Sequence, residues 1–269
     1  MKKYLPMAAA SLAILCAACQ PNNKSANADS TSLQNTQQAE VVLNTLSESE
    51  KAAGWKLLFD GSTTKGWRGA GQETFPEFGW KIDNGELQVI KKADLNGQKG
   101  RDIVTVDQYT YFELSFEFKL TPGANSGVKY RVLESEKRKG FAFGPEYQVL
   151  DDELHPDAKL FTSVPGSRTV AGLYDIIAPQ EKKVKAVGEW NLGVIKVLPN
   201  KHVEHWLNGQ KTVEYDWGSE AFMEQVKGSK FIKDAYAEFG PFGTAEKGHI
   251  LLQYHEDAVA FRNIKIREL

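Results

Sequence analysis

The stretch "FELSFEFKL", residues 112–120, alternates without a break. Phe112, Leu114, Phe116 and Phe118 share one parity; Glu113, Ser115, Glu117 and Lys119 share the other. Successive side chains of a strand point to opposite faces, so this segment predicts one face on a core and one in water. Working outward, period two returns in "KLLFDG", "GWKIDNGELQVI", "SGVKYRVL", "PEYQVLDD", "WNLGVIKVLPNKHVEHWLNGQKTVEYDW" and "HILLQYHEDAVAFRNIKIREL". Turn dipeptides punctuate these runs: Asp60-Gly61, Asn84-Gly85, Asn96-Gly97, Pro122-Gly123, Pro165-Gly166 and Asn208-Gly209. "VEHWLNGQKTVEY" reads as a hairpin with Asn208-Gly209 at its tip. Many alternating strands with few helices predict an all-β fold of two packed antiparallel sheets.

A few short peripheral helices are expected. In "LSESEKAAGW" (46–55), Ser47 and Glu50 have capping-box spacing and Gly54 ends the helix. "SEAFMEQVKGSKF" (219–231) reads as an amphipathic helix on the outside. The chain has 269 residues, net charge −2 and 41% hydrophobic content, enough for one full core and with no basic excess that would suit nucleic acid. Residues 1–19 form an export signal: Lys2 and Lys3, an apolar run, then small residues. Ala17 and Ala18 before Cys19 resemble a bacterial lipoprotein box, which implies lipidation of Cys19 and anchoring to the lipid bilayer of the cell envelope, periplasmic or outer membrane; simple secretion is the alternative. Both cysteines, Cys16 and Cys19, lie in this segment, so the mature domain is expected to have no disulfide. Residues 20–46 contain a polar stretch rich in Asn, Gln and Ser and read as a tether, which leaves 47–269 as a single domain.

The motifs "GWKLLFDGSTTKGW", "WKIDNGELQV", "YFELSFEFKLTPGANSGVKYR", "GPEYQVLDDELHPDA", "GLYD", "GEWN", "HWLNG" and "FRNIKIREL" occur in that order. Together the set resembles the 3-keto-disaccharide hydrolase family over the whole of 51–269. The resemblance implies a concanavalin A-like jelly roll and activity on glycosides whose C3 hydroxyl is oxidised to a ketone. Sugars lie across the concave face in such folds, so candidate site residues are polar residues of one parity on central strands.

In "EYQVLD", Glu146 and Gln148 share a face, and Asp151 joins them if a bulge intervenes. The run is similar to the Glu-x-Asp-x-x-Glu of retaining glucanases, with Gln148 in the middle place, which puts two-carboxylate chemistry in doubt. Glu146 is the first candidate base. In "NSGVKYR", Gly127, Lys129 and Arg131 are expected on one face. Arg131 or Lys129 could hold a ketone oxygen or enolate, and Asn125 could bind hydroxyls. Asp152 and His155 follow in a loop, as does Tyr174 further on. His255 is the second candidate acid or base. Structural readings stand beside each of these: an exposed strand carboxylate for Glu146, a structural ion pair for Arg131, a hydrogen-bonded strand histidine for His255. Trp67, Trp80, Trp190 and Trp206 read as packing anchors. Arg262 and Asn263 read as structural.

No metal-ligand spacing and no phosphate or dinucleotide motif is present, so no cofactor or metal is expected. The ketone would then come from a separate sugar oxidoreductase. Elimination after C2 deprotonation and direct displacement at C1 both remain open. A non-catalytic carbohydrate-binding module and a surface-assembly protein are the competing readings.

Overall fold

The computed structural model describes residues 42–269. The export signal, Cys19 and most of the expected tether lie outside them. The chain joins the fold at Asn44, whose backbone N–H donates to Asn263 Oδ1 (2.6 Å) and whose side-chain amide donates to Gly85 O (2.9 Å). Helix α1 (Glu48–Ala52) follows with the expected capping box between Ser47 and Glu50.

Fourteen strands come next among the described residues. The first seven are β1 (Trp55–Leu57), β2 (Trp67–Gly69), β3 (Trp80–Asp83), β4 (Glu86–Val89), β5 (Ile103–Thr105), β6 (Phe112–Leu120) and β7 (Asn125–Glu134). Then come β8 (Ala142–Phe143), β9 (Glu146–Leu150), β10 (Trp190–Val197), β11 (His202–Leu207), β12 (Gln210–Asp216), β13 (His249–Leu252) and β14 (Val259–Glu268). One sheet runs β12-β11-β10-β6-β14-β4-β3, with β1 on β14; the other runs β2-β5-β13-β7-β8, with β9 on β7. The ladders are antiparallel, and the two sheets make the jelly-roll sandwich. The Asn208-Gly209 hairpin forms between β11 and β12, with both turn residues at positive φ.

Strand β6 carries the alternation that the sequence requires. Phe112, Leu114, Phe116 and Phe118 are fully buried between the sheets. Each such side chain contributes about 1.5–3 kcal/mol by leaving water. From the opposing sheet come Val128, Tyr130, Tyr147 and Val149, and Tyr147 meets Phe116 edge-on at 5.3 Å. Gly193 on β10 is required there, because a Cβ would lie 2.5 Å from the Phe116 ring. A polar network crosses this core. Tyr130 Oη lies 2.9 Å from His205 Nε2 and 2.8 Å from Tyr215 Oη, while His205 Nδ1 faces Ala171 O at 3.4 Å. Burial holds His205 neutral, its pKa pulled down to about 3.

Trp67 and Trp80 are buried anchors whose indole N–H groups donate to Leu58 O and Arg101 O. Trp190 lies under Lys119 and Arg262 on the water-facing side of the first sheet. Arg262 pairs with Glu117, and β1 closes on β14 as expected. Helix α2 (Glu220–Lys227) buries Phe222 and Val226, and 3-10 turns at 230–232 and 234–239 carry the chain onward.

Candidate active site

Strands β7 and β9 pair with Lys129 opposite Glu146, Gly127 opposite Gln148 and Asn125 opposite Leu150. The register is continuous, so Asn125, Gly127 and Lys129 share a face with Glu146 and Gln148, while Val128, Tyr147 and Val149 point into the core. Directly opposite residues lie close, and Lys129 Nζ is 3.6 Å from Glu146 Oε2. Gly127 makes room for the acid: a Cβ there would lie 2.3 Å from Glu146 Oε1.

This face borders a cavity of about 210 Å³. Glu146, Gln148, Asn125, Lys129, Gln253 and His255 line it on the sheet side. Phe141 and Phe143 flank it, and Phe231, Tyr236 and Lys230 come from the segment after α2. Phe143 stacks on Tyr236 at 4.8 Å. The Asn125 Oδ1 and Gln253 Oε1 atoms are buried without a hydrogen-bond partner among the described residues. Buried polar atoms are normally paired, so these two acceptors suit the hydroxyls of a polyol.

Burial raises the Glu146 pKa, against the opposing pull of Lys129 and Lys230. Burial also presses on the Lys129 ammonium, but the carboxylates of Glu146 and Asp102 outweigh it and keep Lys129 protonated. Asp102 is itself raised by burial, and its Oδ1 accepts from the Tyr254 N–H at 2.8 Å. The site thus holds a reluctant carboxylate beside a firm cation, a pairing suited to moving a proton.

Tyr174 lines the same cavity and donates its hydroxyl to Asp157 Oδ2 (2.9 Å). Arg168 bridges Asp157 (2.8 Å) and Asp175 (2.7 Å), and Asp175 accepts the backbone N–H of Lys230 at 2.7 Å. The Lys230 ammonium lies 4.3 Å from the centre of the Tyr174 ring.

Three expectations are corrected. Arg131 does not join Lys129: β7 bulges against β13, Arg131 takes φ 52°, and its guanidinium stacks on Trp217 at 3.6 Å, buried away from the cavity. Asp151 does not join Glu146, because no bulge interrupts β9; its carboxylate accepts the N–H groups of Gly123, Glu153 and Leu154 and organises the turn. Asp152 pairs with Lys182 and accepts the Val170 N–H. Both aspartates border a separate apolar groove of about 510 Å³ beyond the strand end.

His155 lies outside the cavity wall but meets the His255 ring at 5.9 Å. The fold therefore assembles a cluster that sequence spacing does not display: donor atoms of His155, His255 and Asp257 fall within 4.8 Å of one another. His155 Nδ1 already accepts the Asp157 N–H at 3.1 Å, which puts the ring proton on Nε2, so a cation could bind only by displacing one of these hydrogens. A second such group, His202, Glu204 and Glu214, lies on the β11–β12 hairpin and is crossed by Lys211.

Lys230, Asp102 and the Phe143–Tyr236 wall are additions that the sequence patterns do not signal. A lysine just past an amphipathic helix carries no periodic signature. Only the tertiary return of 228–236 over β9 brings it to the site.

The model of the 3-keto-alpha-glucoside-1,2-lyase-like domain family matches residues 54–267. The chain is 32% identical to a 3-keto-disaccharide hydrolase of Bacteroides thetaiotaomicron over 298 aligned positions, covering 100% of both proteins. Among solved structures, a Parabacteroides distasonis protein provisionally described as a glycosyl hydrolase superposes with TM-score 0.70 at 31% identity, over 85% of this chain and 100% of the other. A second protein from that organism, described in the same words, gives TM-score 0.59 at 28% identity, over 80% and 99%.

Proposed function

Since the chain belongs to the 3-keto-disaccharide hydrolase family, we propose that it cleaves glycosides whose C3 hydroxyl has been oxidised to a ketone. One observation carries this reading: the buried Glu146 carboxylate, raised in pKa, lies 3.6 Å from the Lys129 ammonium at a cavity with unpartnered hydroxyl acceptors. A ketone at C3 acidifies the hydrogen on C2. Glu146 removes that proton, and the electron pair moves toward the C3 oxygen as an enolate, which the fixed positive charge of Lys129 stabilises. The enolate expels the substituent at C1, and the leaving oxygen takes up a proton. Water then adds to the unsaturated sugar, so the net change is hydrolysis.

Gln148 supports this order of events over displacement at C1. It stands beside Glu146, which is the one carboxylate among the described residues that line the cavity, whereas ordinary glycosidase chemistry needs two. Asn125 and Gln253 accept ring hydroxyls, and the Phe143–Tyr236 wall packs on a sugar face. The substrate ketone would come from a separate oxidoreductase. The N-terminal sequence supports delivery of this domain to the cell envelope through a lipidated Cys19.

The test is turnover of 3-keto-glucosides beside their unoxidised parents. Cleavage of the keto sugars alone is expected. Equal cleavage of both would overturn the role of the ketone. Binding of either without product would make the domain a carbohydrate-binding module.

A further inference from the structure

Two lysines line the cavity, and their surroundings are opposite. Lys129 is paired with Glu146 and coupled to Asp102, and stays charged. Among the described residues Lys230 makes no ion pair. Its ammonium faces aromatic rings, Tyr174 at 4.3 Å and Phe231 at 5.4 Å. Burial lowers its pKa, and the like charges of Arg168 and Lys129 push the same way, while Glu146 and Asp175 oppose them. Burial without a paired carboxylate, beside other cations, is the setting that turns a lysine into an amine nucleophile toward carbonyl groups. Its backbone is fixed as well, because Asp175 Oδ2 accepts the Lys230 N–H at 2.7 Å.

We propose that Lys230 forms an iminium ion with the ketone of the substrate in the Glu146 cavity. This rests on the 3-keto-glycoside reading and keeps Glu146 as the base, with an enamine on nitrogen in place of the enolate on oxygen. The neutral amine adds to C3, a C–N bond forms, and the carbonyl oxygen leaves as water. The iminium draws electrons more strongly than the ketone. Glu146 takes the C2 proton, and the C–H pair moves toward nitrogen to give an enamine. The enamine expels the C1 oxygen substituent, which is protonated as it leaves. Water adds at C1 of the unsaturated iminium, and a second water hydrolyses the C–N bond, restoring the ketone and the free amine. The water released on condensation is returned in that last step, the water added at C1 is the one consumed in net hydrolysis, and no oxidant or reductant is used. Lys129 holds its proton throughout, which explains why the cavity carries two lysines in unlike settings.

The experiment is reductive trapping. Full-length protein is incubated with methyl 3-keto-glucoside and sodium cyanoborohydride, digested, and mapped by mass spectrometry. The expected result is one sugar adduct at Lys230, dependent on substrate and cyanoborohydride, with none at Lys129. A Lys230→Arg variant keeps the charge but cannot form the iminium. It should show no adduct and lose about 1,000-fold or more in kcat, with an unchanged melting temperature. Turnover by the wild type without an adduct, together with Lys230→Arg activity within a few-fold of wild type, would overturn the iminium while leaving the 3-keto-glycoside reading in place. Absence of both turnover and adduct in the wild type would overturn both. Should Lys230→Arg fold poorly, Lys230→Met and the wild-type trapping result decide the matter.

Discussion

Lys129 and Glu146 face each other across the β7–β9 ladder, Nζ to Oε2 at 3.6 Å, and both side chains are largely withdrawn from water. Their register is fixed by backbone hydrogen bonds rather than by the ion pair. Burial raises the pKa of the acid, and the cation beside it opposes that rise. The net effect is a carboxyl group whose pKa stays above its ordinary value, and so a stronger base than an exposed carboxylate.

The pH dependence follows from that balance. Glu146 must be ionised to act as a base, so kcat/KM falls as pH drops through its pKa. Because burial raises that pKa, the acid limb should lie above the ordinary 4.5. Replacing Lys129 with Met removes the cation that opposes the shift. The limb should move to higher pH still, and kcat/KM at its plateau should fall by about 100- to 1,000-fold through the loss of charge stabilisation. A limb that stays in place in Lys129→Met would show that the two groups are not coupled.

Gly127→Ala tests the placement of the acid. The new Cβ would meet Glu146 Oε1 at 2.3 Å and its Cγ at 3.0 Å, so the side chain must swing aside. The nearest atom is the end of a flexible side chain, so folding stability should change by about 1 kcal/mol or less. Activity should drop by about 100-fold, because a displacement near 1 Å suffices for that. Activity equal to wild type would mean that Glu146 works from a different position, one that tolerates the added methyl group.

Sheet alternation is legible from residues alone. Phe112 to Phe118 and the Asn208-Gly209 hairpin follow from period and turn chemistry, and so does the shared face of Glu146, Gln148 and Lys129. Arg131 escapes that logic because a bulge inverts parity after Tyr130, and a bulge at a non-glycine residue leaves no mark in the composition. Asp151 fails for the converse reason: it needs a bulge that β9 lacks. Lys230 and the His155–His255 contact depend on loops returning over the sheet, which local patterns do not encode.

Arg131→Met should leave kcat/KM unchanged, since the side chain stacks on Trp217 outside the cavity. The stacking is lost, at about 0.5–2 kcal/mol. That loss is offset in part because Nε and Nη2 of the buried guanidinium have no partners among the described residues. Kinetics and thermal melts check both. A large kinetic defect with normal folding would restore Arg131 to the site.

Acid stability should depend on His205. Its pKa is about 3 in the fold and near 6.5 when unfolded, so the unfolded chain binds the extra proton first. Stability is complete above pH 6.5 and is lost as pH falls toward 3. At pH 5 this one group costs about 2 kcal/mol. Urea melts of wild type and His205→Gln from pH 7 to pH 5 should show a smaller loss in the variant. Parallel losses would assign the acid sensitivity elsewhere.

The lipidation of Cys19 is a proposal that cell labelling can check. Wild-type protein should incorporate radiolabelled palmitate and sediment with membranes, and Cys19→Ser should do neither. Labelling of the Cys19→Ser variant would contradict it.

The most direct test of Glu146 as the base compares wild type and Glu146→Gln on a 3-keto-glucoside, with hydrogen and then deuterium at C2. Proton removal by Glu146 requires a primary isotope effect in the wild type and a fall in turnover of about 100- to 10,000-fold in the isosteric variant, with folding intact. Near-normal turnover by Glu146→Gln, with the isotope effect preserved, would contradict it.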